Sequence, residues 1–200
     1  MRLFVALPLP DGVAQSLLLV QGGVPGARWQ TREQLHLTLR FIGEVDGQGA
    51  AMLDDSLAAI HVPAFELQLH TVGQFGGKEH RPGKPGGFPS GRATIKSPHT
   101  LWAGVRRNER LEHLQRKVDI AIRRVGQPQD AHKFMPHVTL ARLRHSEPGK
   151  VLEWLTHHAL YTSVEFSVRA FSLYSSKLTS DGSIYRVEQD YPLEAPNEET

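Results

Sequence analysis

The motif His-x-Thr-Leu is written twice in this chain, as HLTL at residues 36–39 and as HVTL at residues 137–140. Each copy is followed, 29 residues after its histidine, by a phenylalanine that opens an alternating apolar stretch: FELQLHTVG from Phe65 and FSVRAFSLYSS from Phe166. Equal spacing over that distance restricts the fold more than any bulk property, because both halves must then build the same elements in the same order.

Reading for period gives that order. RLFVAL (2–7) reads as a short apolar strand. Asp11 can cap a helix carrying Val13, Leu17, Leu18 and Val20, ended at Gly22-Gly23. LHLTLRFIG (35–43) alternates as a strand, Asp46 to Ile60 reads as a helix with Leu53, Leu57 and Ile60 on one face, and 65–73 alternates again. In the second half LWAGV (101–105) is a strand and Asn108 caps a helix with Leu111, Leu114, Val118, Ile122 and Val125, closed by Gly126. HVTLAR (137–142) is a strand, Ser146 to His158 a helix, and 166–176 alternates. IYRVEQDYPL (184–193) is a last strand after a turn at Ser180-Asp181-Gly182. The expectation is a single bilobed domain over 1–200, with duplicated halves at about 1–75 and 101–193. Between them, 76–99 is a long Gly/Pro-rich loop with five Lys/Arg against one Glu, a candidate basic arm for a nucleic-acid backbone.

Composition narrows the chemistry. There is no cysteine, which excludes disulfides and thiolate metal sites and suits a reducing compartment. No apolar run approaches the ~20 residues of a membrane span, and the N-terminus lacks the pattern of a signal peptide. A cytoplasmic protein is expected, with no membrane partner. With neither heptads nor a membrane packing motif, it is expected to be a monomer. No HExxH, carboxylate cluster, GxxxxGK[ST] or GxGxxG is present, so neither a metal nor a nucleotide cofactor is expected.

On a strand, residues i and i+2 share a face. His36 and Thr38 therefore stand opposite Leu37 and Leu39, and His137 and Thr139 opposite Val138 and Leu140. The apolar faces belong in the core, so the His/Thr faces can meet across a cleft. An imidazole titrates near 6.5, so one can act as base while the other, protonated, acts as acid. Threonine hydroxyls can hydrogen-bond phosphoryl oxygens. His36, Thr38, His137 and Thr139 thus form an apparatus for acid–base chemistry on a phosphodiester.

The segments MRLFVALPLP, LHLTLRFIGEV, LWAGV, FMPHVTLAR and LYSSKL…YRVEQDYPL, in that order, make the chain similar to the 2H phosphoesterase superfamily. Within it, the chain most resembles the RNA 2′,3′-cyclic phosphodiesterases, also described as 2′-5′ RNA ligases. The resemblance implies an α+β fold of two pseudo-two-fold-related lobes, with antiparallel sheets lining a central cleft and helices outside. It implies hydrolysis of 2′,3′-cyclic phosphate ends to 2′-phosphomonoesters. His36 would be proton donor to the departing 3′-oxygen, His137 proton acceptor from water, and Thr38 and Thr139 the phosphate holders, with Arg142 contacting the phosphate. A 5′-hydroxyl in place of water would turn the same site to ligation. The implied partners are RNA with cyclic phosphate ends or small cyclic nucleotides, such as one derived from ADP-ribose; a non-catalytic RNA-binding module is the contrasting reading. Strand parity puts Arg40 on the His36 face, as a further substrate contact. Phe41 and Arg142, each five residues past a histidine, reach the cleft only if each strand bulges after its leucine. Phe41 would then offer a ring for base stacking. Met135 stands where many relatives carry a basic residue.

Overall fold

The computed structural model describes residues 1–76, 98–130, 133–180 and 182–195. The elements follow the expected order: β1 (Arg2–Pro8), α1 (Asp11–Leu19), β2 (Ala27–Trp29), a single 3₁₀ turn at Arg32–Gln34, β3 (His36–Glu44), α2 (Gly47–Ala58), β4 (Phe65–Leu67), β5 (Leu69–Phe75), β6 (Thr100–Val105), α3 (Glu109–Arg124), β7 (His137–Leu143), α4 (Pro148–His157), β8 (Phe166–Val168), β9 (Ala170–Thr179) and β10 (Gly182–Pro192). Of the basic 76–99 stretch, residues 77–97 lie outside the described residues, as does Asp181 of the expected turn.

Helix ends follow local chemistry. Asn108 and Asp46 cap α3 and α2 with side chains that accept from Leu111 N at 2.9 Å and Gly49 N at 2.7 Å. Asp11, expected as a cap, is instead the first helical residue, because Pro10 with φ −60° takes the cap position. The Asp11 carboxylate pairs with Arg32 across the chain. In α3, Leu111, Leu114, Val118 and Ile122 are fully buried, each contributing roughly 1.5–3 kcal/mol of apolar burial. The helix lies against α2, where Ser56 Oγ donates to the Ala121 carbonyl at 3.0 Å.

Among the described residues one antiparallel sheet spans the molecule in the order β10-β9-β1-β3-β7-β6-β5, with β2 paired to β7. The sheets of the two expected lobes are therefore joined, and the join is narrow: β3 and β7 pair at Leu37–Val138 alone. The two wings of the sheet also do not coincide with the two halves of the sequence. β9, from the second half, pairs with β1, while β5, from the first half, pairs with β6. The exchange happens where β4 pairs β8, matching Phe65 with Val168, Glu66 with Ser167 and Leu67 with Phe166. Each alternating stretch expected as one strand breaks here, at Gln68 and at Arg169, because the chain leaves one partner for another.

The β3–β7 and β4–β8 pairings share one offset. Leu37–Val138 and Glu66–Ser167 join positions 101 apart, the offset that also separates the two HxT motifs. Pairing of equivalent positions is what a two-fold relation between the halves generates. Leu37 and Val138 are fully buried toward the helices, so the opposite face of the seam carries His36, Thr38, His137 and Thr139. No helix among the described residues is long and apolar enough to cross a membrane.

Candidate active site

An open cleft of about 180 Å³ lies over the seam, and His36, Thr38, His137, Thr139, Phe41 and Arg142 all line it. The register through Leu37–Val138 sets His36 opposite Thr139 and Thr38 opposite His137. The two imidazoles are thus diagonal on one face, both lining the cleft, and the charge of His137 is felt at His36. Neither threonine hydroxyl is engaged by a described residue.

Beyond the single paired residue the strands part. On the β7 side the space is taken by β2, an element absent from the sequence reading. β2 pairs Ala27 with Leu143, Arg28 with Arg142 and Trp29 with Ala141, while Gln30 N donates to the Leu140 carbonyl at 2.8 Å. On the β3 side, Asp130, Lys133, Phe134 and Met135 line the cleft.

Both HxT strands bulge at their leucine. The β1–β3 register slips between the pairs Val5–Arg40 and Ala6–Thr38, leaving Leu39 extra. The β6–β7 register slips between Leu101–Ala141 and Trp102–Thr139, leaving Leu140 extra. Each bulge reverses the alternation beyond it. Phe41 and Arg142, equivalent under the 101 offset, are thereby turned to the cleft, with Phe41 46% exposed.

The same reversal corrects the reading of Arg40. It remains in the cleft wall but is only 7% exposed, and each of its three nitrogens is bonded within the protein. Nε donates to Asp119 Oδ1 at 3.0 Å, Nη1 to the Phe41 carbonyl at 2.5 Å and Nη2 to the Pro128 carbonyl, with Asp130 Oδ2 at 3.5 Å from Nη1. Arg40 is a brace between β3, α3 and the segment after it, not an open phosphate ligand.

The imidazoles are held alike. His137 Nδ1 lies 2.7 Å from the Met135 carbonyl oxygen; a carbonyl only accepts, so Nδ1 carries the proton and Nε2 is left to exchange one. His36 bonds the backbone of Gln34, the equivalent position two residues earlier. Position 135 thus contributes through its backbone, which any residue type supplies. Rings enclose each histidine. Phe4 (4.9 Å), Tyr185 (5.1 Å, edge-on) and Tyr174 (6.0 Å) surround His36, while Phe75 (4.8 Å, edge-on) and Trp102 (6.4 Å) flank His137. Trp102 lies across Gly73 so closely that a Cβ there would sit 2.2 Å from its ring. Tyr185, Gln30, Gln115, Lys133 and Phe134 also line the cleft and were not singled out in the sequence, where nothing in their spacing marks them.

These surroundings disfavour charge on both rings. Burial pushes His36 down to about 4, against the pull of its Gln34 bond, and the charges of His137 and Arg142 push the same way. Burial also lowers His137, opposed by its bond to Met135 and reinforced by Arg142. Arg142, whose Nη1 donates to Thr100 Oγ1 at 3.0 Å, is the one cation felt by both imidazoles. Two proton-exchanging nitrogens, two hydroxyls and a guanidinium around one gap suit an anionic group whose charge must be held while one bond to it forms and another breaks. Among the described residues no three His, Cys, Asp or Glu side chains are grouped to hold a metal ion.

The family described as LigT like Phosphoesterase matches residues 7–84 and 104–185. The RNA 2′,3′-cyclic phosphodiesterase of Thermotoga maritima is 31% identical over 192 residues, 94% of this chain and 92% of that protein. The enzyme of the same name from Archaeoglobus fulgidus is 29% identical over 93% of this chain and 97% of its own. Among solved structures, TT0787 of Thermus thermophilus superposes with a TM-score of 0.75 at 22% identity, covering 98% of this chain and 99% of that one. LigT of E. coli in its apo form gives a TM-score of 0.72 at 23% identity, covering 96% of each.

Proposed function

This chain belongs to the LigT-like phosphoesterases, the 2H family of the RNA 2′,3′-cyclic phosphodiesterases, and on that premise we propose that its seam histidines open a ribose 2′,3′-cyclic phosphate at an RNA end. The phosphate sits between the two rings, with the hydroxyls of Thr38 and Thr139 donating to its non-bridging oxygens and Arg142 balancing its charge. Neutral His137 takes a proton from water through Nε2 as the water oxygen bonds to phosphorus. Protonated His36 gives its proton to the 3′-oxygen as the P–O3′ bond breaks. The products are a 2′-phosphomonoester and a free 3′-hydroxyl. The histidines end with their protonation states interchanged and reset through solvent. The assignment of donor and acceptor follows the family resemblance, since the frame is two-fold. A 5′-hydroxyl of RNA taking the place of water would run the chemistry as ligation.

The observation that carries this reading is the diagonal of two backbone-anchored imidazoles over the Leu37–Val138 pair, both lining one cleft with one shared cation. General acid–base catalysis is commonly worth 10²–10⁴-fold, so His36→Ala and His137→Ala should each lower turnover by roughly 10²-fold or more. The test is incubation of the protein, in chelator, with an oligoribonucleotide ending in a 2′,3′-cyclic phosphate, reading the products by ³¹P NMR. A 2′-phosphate is expected. A 3′-phosphate, no opening, or full activity in either alanine variant would defeat the proposal.

A further inference from the structure

The cleft chemistry needs one phosphate, yet the cationic surface continues past it. β2 runs antiparallel beside the C-terminal part of β7 and sets Arg28 directly opposite Arg142. The neighbours of Arg28 pack inward: Ala27 and Trp29 lie against the core, and Trp29 meets Trp154 at 5.7 Å. Alternation then turns Arg28 to the face that Arg142 shares. Like charges directly opposed on a sheet repel, and here nothing in sight offsets them. Among the described residues no carboxylate lies within ion-pair distance of either guanidinium, and the described partner of Arg142 is the neutral hydroxyl of Thr100. Carboxylates are used freely on either side, where Arg32 has Asp11 and Arg40 has Asp119.

The Arg28 guanidinium reaches the start of β10, where a Cβ at Gly182 (φ +139°) would lie 2.5 Å from Nη2, a contact that the flexible end of the arginine can relieve by shifting. The Gln34 carboxamide, donating to the Ser183 carbonyl at 2.8 Å, lies beside the same glycine. The two arginines face different positions. Arg142 lines the cleft and its charge reaches both imidazoles, whereas Arg28 stands one strand further out and is not among the charges that depress either ring.

We propose that Arg28, beside Arg142, holds a second phosphate, the 3′,5′-phosphodiester that precedes the cyclic end of an RNA strand. The ligand class is thus an oligoribonucleotide carrying at least one internal phosphate, and the proposal rests on the cyclic-phosphodiesterase reading of the cleft. Two long side chains rooted ~5 Å apart at Cβ can reach consecutive phosphates of a single strand.

The test compares three substrates: adenosine 2′,3′-cyclic phosphate, the dinucleotide ApA ending in the same cyclic phosphate, and that dinucleotide with an uncharged methylphosphonate linkage. A hydrogen bond to a charged group is worth enough to change a rate constant about tenfold. The native protein should therefore show kcat/KM about tenfold higher on the charged dinucleotide than on the uncharged one. Arg28→Gln should erase most of that ratio and Arg28→Lys retain part of it. For the charged dinucleotide, the slope of log(kcat/KM) against log salt should become shallower by about 0.7 in Arg28→Gln. Equal rates on charged and uncharged linkages, or an Arg28→Gln loss of the same factor on all three substrates, would overturn the second-phosphate site while leaving the cleft chemistry standing. Failure of the native protein to open any of the three would instead bring down the cleft reading, and this proposal with it.

Discussion

At pH 7 a free His36 that titrates at about 4 carries a proton at a cost of about 4 kcal/mol, each pKa unit being worth about 1.4 kcal/mol. In the proton-donor role proposed for it, a ring so poorly charged cannot serve unless the substrate changes its surroundings. The causes of the depression name the remedy: burial first, then the positive neighbours His137 and Arg142. One negative charge about 4 Å from the ring contributes about 4 kcal/mol at the effective dielectric of a protein site, which offsets the whole penalty. Occupation of the cleft by a phosphate should therefore carry His36 from about 4 to near neutrality. The assay is a ¹H–¹⁵N titration of the imidazole nitrogens, free and saturated with adenosine 2′-monophosphate, with His36→Gln to assign the resonances. Kinetics supply a second view, because kcat/KM reports the free enzyme and kcat the complex. The alkaline fall of kcat/KM should lie at lower pH than that of kcat, both belonging to the coupled pair. A His36 that titrates at 6.5 in the free protein, or one unmoved by the nucleotide, would refute the reasoning.

Because the folded state holds His36 below its unfolded value of about 6.5, its stabilising effect is complete above pH 6.5 and is lost as pH falls toward 4, by about 3 kcal/mol in all. Urea midpoints of His36→Gln should accordingly vary less than those of the native protein between pH 7 and pH 4. Arg40→Met leaves buried carbonyls and Asp119 short of a donor, so calorimetry should show a loss of about 3 kcal/mol, with KM for the cyclic phosphate moved far less than stability. Thr139→Val keeps shape and removes one hydroxyl from the cleft; a fall in kcat of roughly 10–10²-fold with unchanged melting temperature is expected. Gly73→Ala drives a Cβ into the Trp102 ring, and a loss of about 1–3 kcal/mol should show in denaturant melts.

What could be read from the letters alone was whatever period and spacing encode. The matched HxT strands, the Asn108 and Asp46 caps and the apolar stripe of α3 depend on residues within a few positions of one another, and they stand as expected. The bulges at Leu39 and Leu140 were not legible, because leucine is also what an unbroken strand would carry there. Parity counted through them put Arg40 on the wrong side of the question, as a substrate contact when it is a buried brace. β2 is three residues long, too short for any periodicity, and the exchange of β5 and β9 between wings is decided by pairing partners far away in the chain. The aromatic box around His36 is drawn from β1, β9 and β10, so no local window contains it.

Phe41 and Arg142 occupy matching places past matching kinks, yet one offers a ring and the other a fixed charge. A cradle built on a dyad would accept a lopsided molecule equally well either way round. If Phe41 takes a base and Arg142 a phosphate, as the proposed chemistry would have it, that indifference is lost: the ribose between them would be seated in one polarity, and cargo would decide which imidazole meets the departing oxygen.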